Sequence, residues 1–497
     1  MPQILRLIFF TFITLMVFSL PAYPQIEMTS FSATSRGGVS TPLATDYQAQ
    51  GINPANLALK PTFEGFNNTL GLGELGLSVY SDALSKINLN QALFDPNKKF
   101  TPSEKAEAAR DFTSKGVSFN MDFLYGGFAH QRKDGGAGFC FTMRERAQWY
   151  SRFSEKAAQI LFNGFNAQFQ VGELVRPYFD SLLTKVVFNP VTNSIEIDTL
   201  GAIATLPQTL TQILNGTRIS MAWSREYGVS YGMTLIDNFD FKLNAGIGAR
   251  YIQGIANMDI ESDGKSLKAF ISASPWFGIK FGQNGQLQSA SDSVNSGFLP
   301  KPAGDGFGLD LGLTAVFKDK FRISAAITDF GSVNYKTNVF TASDTFLTSL
   351  TTRGFTNYDF FLNAQQFDGF QKDLIKWDGL KNRAQFLPTK FRFGAAVVKK
   401  NMQAGVDLVV PLNDRAGNFQ KPFVSLGGEV RILGFLQLGS GIMFGGNYTS
   451  TLIPFGITLV TGGGFWEMGI ASRDISTFLK KSNPMLSLTT GMLRFRF

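Results

Sequence analysis

Met485-Leu-Ser-Leu-Thr-Thr-Gly-Met-Leu-Arg-Phe-Arg-Phe497 closes the sequence. Neighbouring side chains of a strand point to opposite faces. One face of this stretch carries Leu493, Phe495 and Phe497, and the other carries Met492, Arg494 and Arg496. A soluble core strand does not normally set two arginines on its inner face. A strand between lipid and a wet lumen does, and it places aromatics near the membrane boundary. An ordinary edge strand ending in Phe fits these thirteen residues equally well, because one barrel strand is a weak signal. The rest of the chain has to decide.

A chain of 497 residues exceeds one ordinary soluble core, so several domains or one large barrel is expected. The hydrophobic share of 44% and mean hydropathy of +0.02 are too polar for a bundle of membrane helices. With 50 Phe and 51 Gly against only 17% charged residues, the composition suits lipid-facing strands with bends and turns. It does not suit a typical charged, soluble surface. A lone cysteine, Cys140, excludes an intrachain disulfide and a multi-cysteine zinc site. A lone histidine, His130, argues against histidine-based catalysis and a multi-His metal site. Both read as packed or lumen-facing residues, and no cofactor or metal is expected. The formal charge is +8, and removing a segment that contains Arg6 leaves 45 Lys+Arg against 38 Asp+Glu, or +7. No basic run interleaved with aromatics is present, so no nucleic-acid partner is expected. A modestly positive lumen or rim is the plainer reading.

Met1 to Pro24 reads as an export signal, with Arg6 at its start, an apolar run from Leu7 to Leu20 and Pro21-Ala22-Tyr23-Pro24 as the helix breaker. The apolar run is short for a spanning helix. No cysteine lies near its end, so no lipoprotein is expected. No apolar run of spanning length follows. An exported chain of that kind is either soluble or an outer-membrane barrel. Ile26 to Pro61 does not alternate like a strand. Ala44 to Leu59 could form a short helix broken at Asn53-Pro54, and the segment reads as a plug or arm.

From about Phe66 the period becomes two. Val117, Phe119, Met121 and Phe123 alternate with Ser118, Asn120 and Asp122. Phe241 to Tyr251, Phe307 to Leu313, Met402 to Leu408 and Trp466 to Ile470 repeat the pattern. Some connections are tight, as at Lys318-Asp319-Lys320, Lys399-Lys400-Asn401 and Gly462-Gly463-Gly464. Others are long, as at Ser81 to Lys115, Tyr150 to Thr217 and Asn338 to Arg383. Ser103 to Thr113 and Asp373 to Leu380 are candidate loop helices. Strands beginning near 66, 116, 136, 216, 239, 305, 321, 387, 402, 421, 435, 450, 464 and 485 make about fourteen. The even number leaves both ends periplasmic and the long loops outside. The count treats Ser266 to Gln283 as an extension of an outer loop.

The fold class predicted is thus all-β: a transmembrane antiparallel barrel of about 14 strands, with an N-terminal plug and helix-containing extracellular loops. Its expected layout is a signal over 1–24, a plug over 25–62 and a barrel over 63–497. Arg144, Arg146, Arg250 and Asp310 are the expected lumen charge cluster. Glu145 alternates outward, so only a bulge or a rim position would join it to Arg144 and Arg146. Arg494, Arg496 and Phe497 belong to the strand that closes the barrel.

Asn53-Pro54-Ala55, ahead of a long barrel, resembles the Asn-Pro-Ala motif of the FadL-type outer-membrane family, although Asn56 stands where that family usually has Gly. The resemblance implies a fourteen-stranded transporter of long-chain fatty acids or aromatic hydrocarbons, with an N-terminal hatch in the lumen. Met143 to Ala147, Arg225-Glu226-Tyr227, Ala249 to Asn257, Gly308 to Gly312 and Ile327 to Gly331 resemble a divergent, FadL-like branch known only as a domain of unknown function. The resemblance also implies that the terminal Phe497 serves as the tag for assembly into the outer membrane.

No Ser/His/Asp set, Gly-x-Ser-x-Gly elbow or phosphate loop occurs, so an enzyme is not expected. The expected function is an outer-membrane channel for small hydrophobic molecules, with membrane lipid and a hydrophobic ligand as partners. The alternatives are a scaffold barrel that docks a secretion or surface protein through its long loops, and a structural barrel with a closed lumen.

Overall fold

The computed structural model describes residues 30–497 apart from 64, 96–97, 172–173, 190–193, 278, 282–286, 290–298, 359–375, 420, 447–449 and 480–483. The signal over 1–24 lies outside the described residues. Fourteen strands form the wall, numbered here in chain order: β1 (Asn68–Ser81), β2 (Gly116–Gln131), β3 (Ala137–Arg152), β4 (Arg218–Asp237), β5 (Phe241–Ser262), β6 (Gly304–Phe317), β7 (Phe321–Tyr335), β8 (Lys390–Lys399), β9 (Met402–Pro411), β10 (Phe423–Ile432), β11 (Leu436–Gly445), β12 (Phe455–Thr461), β13 (Trp466–Ser472) and β14 (Met485–Arg496). Each pairs antiparallel with the next, and β14 pairs with β1 from Thr69↔Arg496 to Tyr80↔Met485, so the sheet has no free edge there.

Alternation builds two unlike faces. Outward residues such as Val229, Ile247, Leu311 and Ile323 stay exposed, while inward Ser230, Arg250, Asp310 and Ser324 are buried. Aromatic rings bracket this apolar band. Tyr251 packs against Tyr227 and Phe307 at the loop end, with centroids 6.3 and 5.5 Å apart. Phe241 meets Phe317 at 5.2 Å near the turn end. The ten steps from Phe241 to Tyr251, at about 3.3 Å each and a tilt of about 40°, span roughly 25 Å, the height of a lipid-facing band.

The tight connections and the long ones fall at opposite ends. Lys318 and Asp319 both take left-handed backbone, φ 51 and 52, which matches the turn twist a short hairpin needs. At the other end, three long connections share one apolar core that includes Leu84, Leu89, Ala109, Phe112, Phe162, Phe165, Leu347 and Tyr358. The helix Pro102–Asp111 belongs to this cap, and a Thr101/Glu104 capping box starts it. The Thr101 backbone N–H and hydroxyl hold the Glu104 carboxyl below the usual carboxylate range.

Several local expectations are corrected. Met492 does not share the lumen face of Arg494 and Arg496. A register shift between Glu467 and Gly469 in the β13–β14 ladder turns it outward, where it is 60% exposed. Within Asp373 to Leu380, residues 373–375 lie outside the described residues. Lys376–Gly379 is a strand paired with Phe340–Ser343 rather than a helix. Asn53-Pro54 starts a helical turn instead of breaking one. Asn53 caps the 3-10 helix Pro54–Ala58, and proline suits its first turn. Leu267–Ala273, in contrast, behaves as expected: it extends the sheet beside the upper part of β5 and does not cross the wall.

Candidate functional site

The lumen is the candidate site, and residues 30–59 occupy it. Their side chains are buried throughout. The helix Phe31–Ser35 lies against β11–β14, the turn Asp46–Ala49 against β1–β3, and Pro54–Ala58 against β3–β6. Room for this plug comes from missing side chains in the wall. A methyl group added at Gly71 or Gly127 would overlap Tyr47. One at Gly469 or Gly491 would overlap Phe31, and one at Gly246 or Gly312 would overlap Pro54, Ala55 or Asn53. Every wall strand except β7 and β9 carries a glycine that faces the plug in this way. The glycine count, read from composition as bends and turns, therefore reflects close approach of two backbones as well.

Polar ties hold the plug. Asp407 of β9 accepts the backbone N–H groups of Ser40 and Thr41 at 2.8 and 2.7 Å, and the Ser40 hydroxyl at 3.1 Å. Arg494 of β14 pairs with Asp46 of the plug, and with Glu467 of β13 at 2.8 Å. Arg496 shares Glu467 at 2.5 Å and donates to the Gly464 carbonyl at 3.1 Å. Tyr47 donates to Glu74 of β1. Where the plug runs into β1, the Phe63 ring lies between Arg431 and Arg496, 4.3 and 4.4 Å from the ring centroid.

Asn53, Pro54 and Ala55 sit in the lumen beside β5 and β6. The Asn53 amide donates to Thr314 at 2.9 Å, and Asn56 donates to the Thr41 and Ala44 carbonyls at 2.9 and 2.8 Å. The motif thus ties the plug to the wall and to itself. Asn56 uses its side chain for bonds that a glycine there could not make.

The charge cluster divides. Arg250 contacts Asp310, Glu226 and Asp329, each at 2.8 Å. Arg146 joins the same group through Glu226 at 3.3 Å and Asp329 at 3.5 Å. Arg144 instead pairs with Asp122 at 3.2 Å. Asp329, part of the Ile327 to Gly331 stretch but not of the expected charge cluster, enters through a bulge. The register shifts between Leu309 and Leu311, Asp329 takes φ 58, and its N–H donates to Asp310 at 2.9 Å. Glu145 faces away from this group. It accepts from Trp223 Nε1 at 2.7 Å, Tyr125 at 2.8 Å and Arg225 at 3.0 Å. Arg144, Glu145 and Arg146 therefore do not converge on one site. Cys140 is buried beside Gln50, and His130 bonds Asn68 at 2.9 Å.

Apolar residues line the lumen on the loop side of the plug, where Tyr80, Val409, Phe419, Phe423, Met443 and Met485 form one buried cluster. The connection between β9 and β10 supplies Phe419. Alternation did not reveal it, because it lies outside any strand.

A family model described as a family of unknown function, DUF5723, matches residues 202–472. No curated protein matches the chain. Among solved structures, the chain is similar to the toluene transporter TodX of P. putida at a TM-score of 0.43 and 10% identity, covering 95% of this chain and 99% of that one. It is also similar to a FadL homologue of Pseudomonas aeruginosa, at a TM-score of 0.38 and 8% identity, covering 95% and 97%.

Proposed function

The chain belongs to the family of unknown function DUF5723, and from that premise we propose that it is an outer-membrane channel for small hydrophobic molecules, held shut by residues 30–59. The observation that carries this reading is the way the plug is fastened. It is a separate segment inside a closed wall, packed against that wall, tied to it by side-chain hydrogen bonds and ion pairs, and seated on glycines. Such a segment can shift without breaking the wall ladder, because the ladder uses none of its backbone groups. The apolar cluster around Phe419 and Tyr80 offers a first resting place for a hydrophobic solute above it.

The test is uptake of a radiolabelled hydrophobic solute by cells with and without the chain, in parallel with a variant carrying Asp407→Ala. Faster uptake with the chain, and faster again with the variant, supports a gated channel. Equal uptake in all three strains removes the reading.

A second reading rests on a different surface. The hairpin Ser181–Asn189/Ser194–Thr209 exposes Leu182, Val186, Phe188, Ile195 and Ile197. Cross-strand pairs put Phe188 opposite Ile195 and Val186 opposite Ile197, so one face of the hairpin is apolar and uncovered. Such a face suits a scaffold that docks a protein outside the cell. Replacing Phe188 and Ile197 with Ser should then abolish the docking while leaving uptake unchanged.

A further inference from the structure

The inward face of β2 carries Ser118, Asn120 and Asp122 on the loop side of the plug. Asn120 is 94% buried, at 6% exposure, and neither its amide nitrogen nor its amide oxygen has a partner. The Ser118 hydroxyl, fully buried, has none either. A buried amide left with an unused donor and an unused acceptor is costly. Burial alone therefore does not explain an asparagine here.

The surroundings say what would satisfy it. Ser118 lies directly across the β1–β2 ladder from Tyr80. Tyr80 belongs to the apolar cluster with Phe419, Phe423 and Met485. Asn120, the next inward residue, faces Ser78 and Gln148 across its two ladders, so a polar step lies directly below an apolar, aromatic-rich layer. Asp122, next along the same face, places a carboxylate nearby, paired with Arg144 at 3.2 Å. A pure hydrocarbon would fill the apolar layer and leave both Asn120 atoms unmet. A carboxylate ligand would use only the donor. A hydroxyl group offers one donor and one acceptor, the complement of a primary amide.

We propose that Asn120 and Ser118 form the polar end of a lumen subsite for a small apolar molecule bearing one hydroxyl group, with the Tyr80–Phe419 layer holding its body. This rests on the channel reading and names its substrate class.

The experiment is calorimetric titration of the purified full chain in detergent micelles with phenol, toluene and benzoate. Phenol is expected to bind about tenfold tighter than either of the others, as one well-paired buried polar group would give. Asn120→Leu should lose that preference for phenol and keep or gain affinity for toluene. Ser118→Ala, a smaller change, should weaken phenol by a few-fold and confirm that the effect does not come from misfolding. Thermal melting of both variants checks the barrel. Equal affinity for phenol and toluene in the wild type overturns the proposal. So does an unchanged preference in both variants, which would mean that ordered water alone occupies the amide. Binding of phenol with no uptake by cells removes the channel and leaves the subsite standing. Uptake of toluene and phenol at equal rates, with equal binding, removes the subsite and leaves the channel.

Discussion

Asp46 concentrates the chemistry of the plug in one residue. It holds a left-handed backbone, φ 51, that most side chains resist, and its carboxylate meets Arg494 in a buried pair. Removing one partner of such a pair leaves an uncompensated charge and costs about 3–5 kcal/mol. Arg494→Met should therefore lower stability by roughly that amount in urea unfolding of the micelle-bound chain, because it strands Asp46 and weakens the hold on Glu467. Asp46→Asn should cost less than Asp46→Ala, since asparagine tolerates left-handed backbone better than alanine does. Equal losses for the two variants would show that the backbone conformation is not under load. Asp407 is the counterpart on the far wall. Its two backbone hydrogen bonds to Ser40 and Thr41 have no substitute in Asp407→Ala. That variant should conduct in planar bilayers where the wild type is quiet.

At the scale of the strand, two features of the wall can be tested. Gly71 and Gly469 face Tyr47 and Phe31 so closely that a larger residue cannot share the space. Gly71→Val or Gly469→Val should leave the barrel ladder intact, because valine suits a strand, while forcing the plug aside. Protease sensitivity at residues 30–59, with unchanged β-sheet circular dichroism, would register that outcome. Phe497 closes the seam: its carbonyl accepts from Asn67 and Asn68 at 3.3 and 2.9 Å, and its N–H donates to Asn68 at 3.1 Å. Deleting it should reduce the amount of assembled barrel in membranes more than it changes the transport of what does assemble. The strands themselves were legible from period-two alternation, since lipid and lumen impose opposite demands on successive residues. Departures came where a bulge broke the period, as at Met492 and Asp329, or where a loop segment adopted strand geometry through a distant partner, as at Lys376–Gly379. The charged lumen face of β3, β5 and β6 could be read in the same way. Its partners could not, because Asp46 with Arg494 and Ser40 with Asp407 join positions hundreds of residues apart. The plug-facing glycines carried no local signal that separates them from turn glycines.

Taken whole, the barrel holds residues 30–59 in its lumen beneath a cap whose own core unites three long connections. The purified wild-type chain should show no steady current across a planar bilayer. A variant carrying both Asp407→Ala and Arg494→Met should show one, larger than either single change gives, since the two ties act on separate parts of the plug. A second consequence concerns the order of assembly. Tyr47 rests on β1 and β2, while Phe31 rests on β13 and β14. The two margins of the sheet that must meet last, β1 and β14, thus both touch the plug. Once Thr69 has met Arg496, a chain already folded into turns has no wide path into the lumen. The nascent plug must be gathered in while the wall is still an open sheet, with the seam zipping around it. Wall strands from opposite ends of the sequence would then be brought together by a segment made before any of them, a mandrel around which the wall would close.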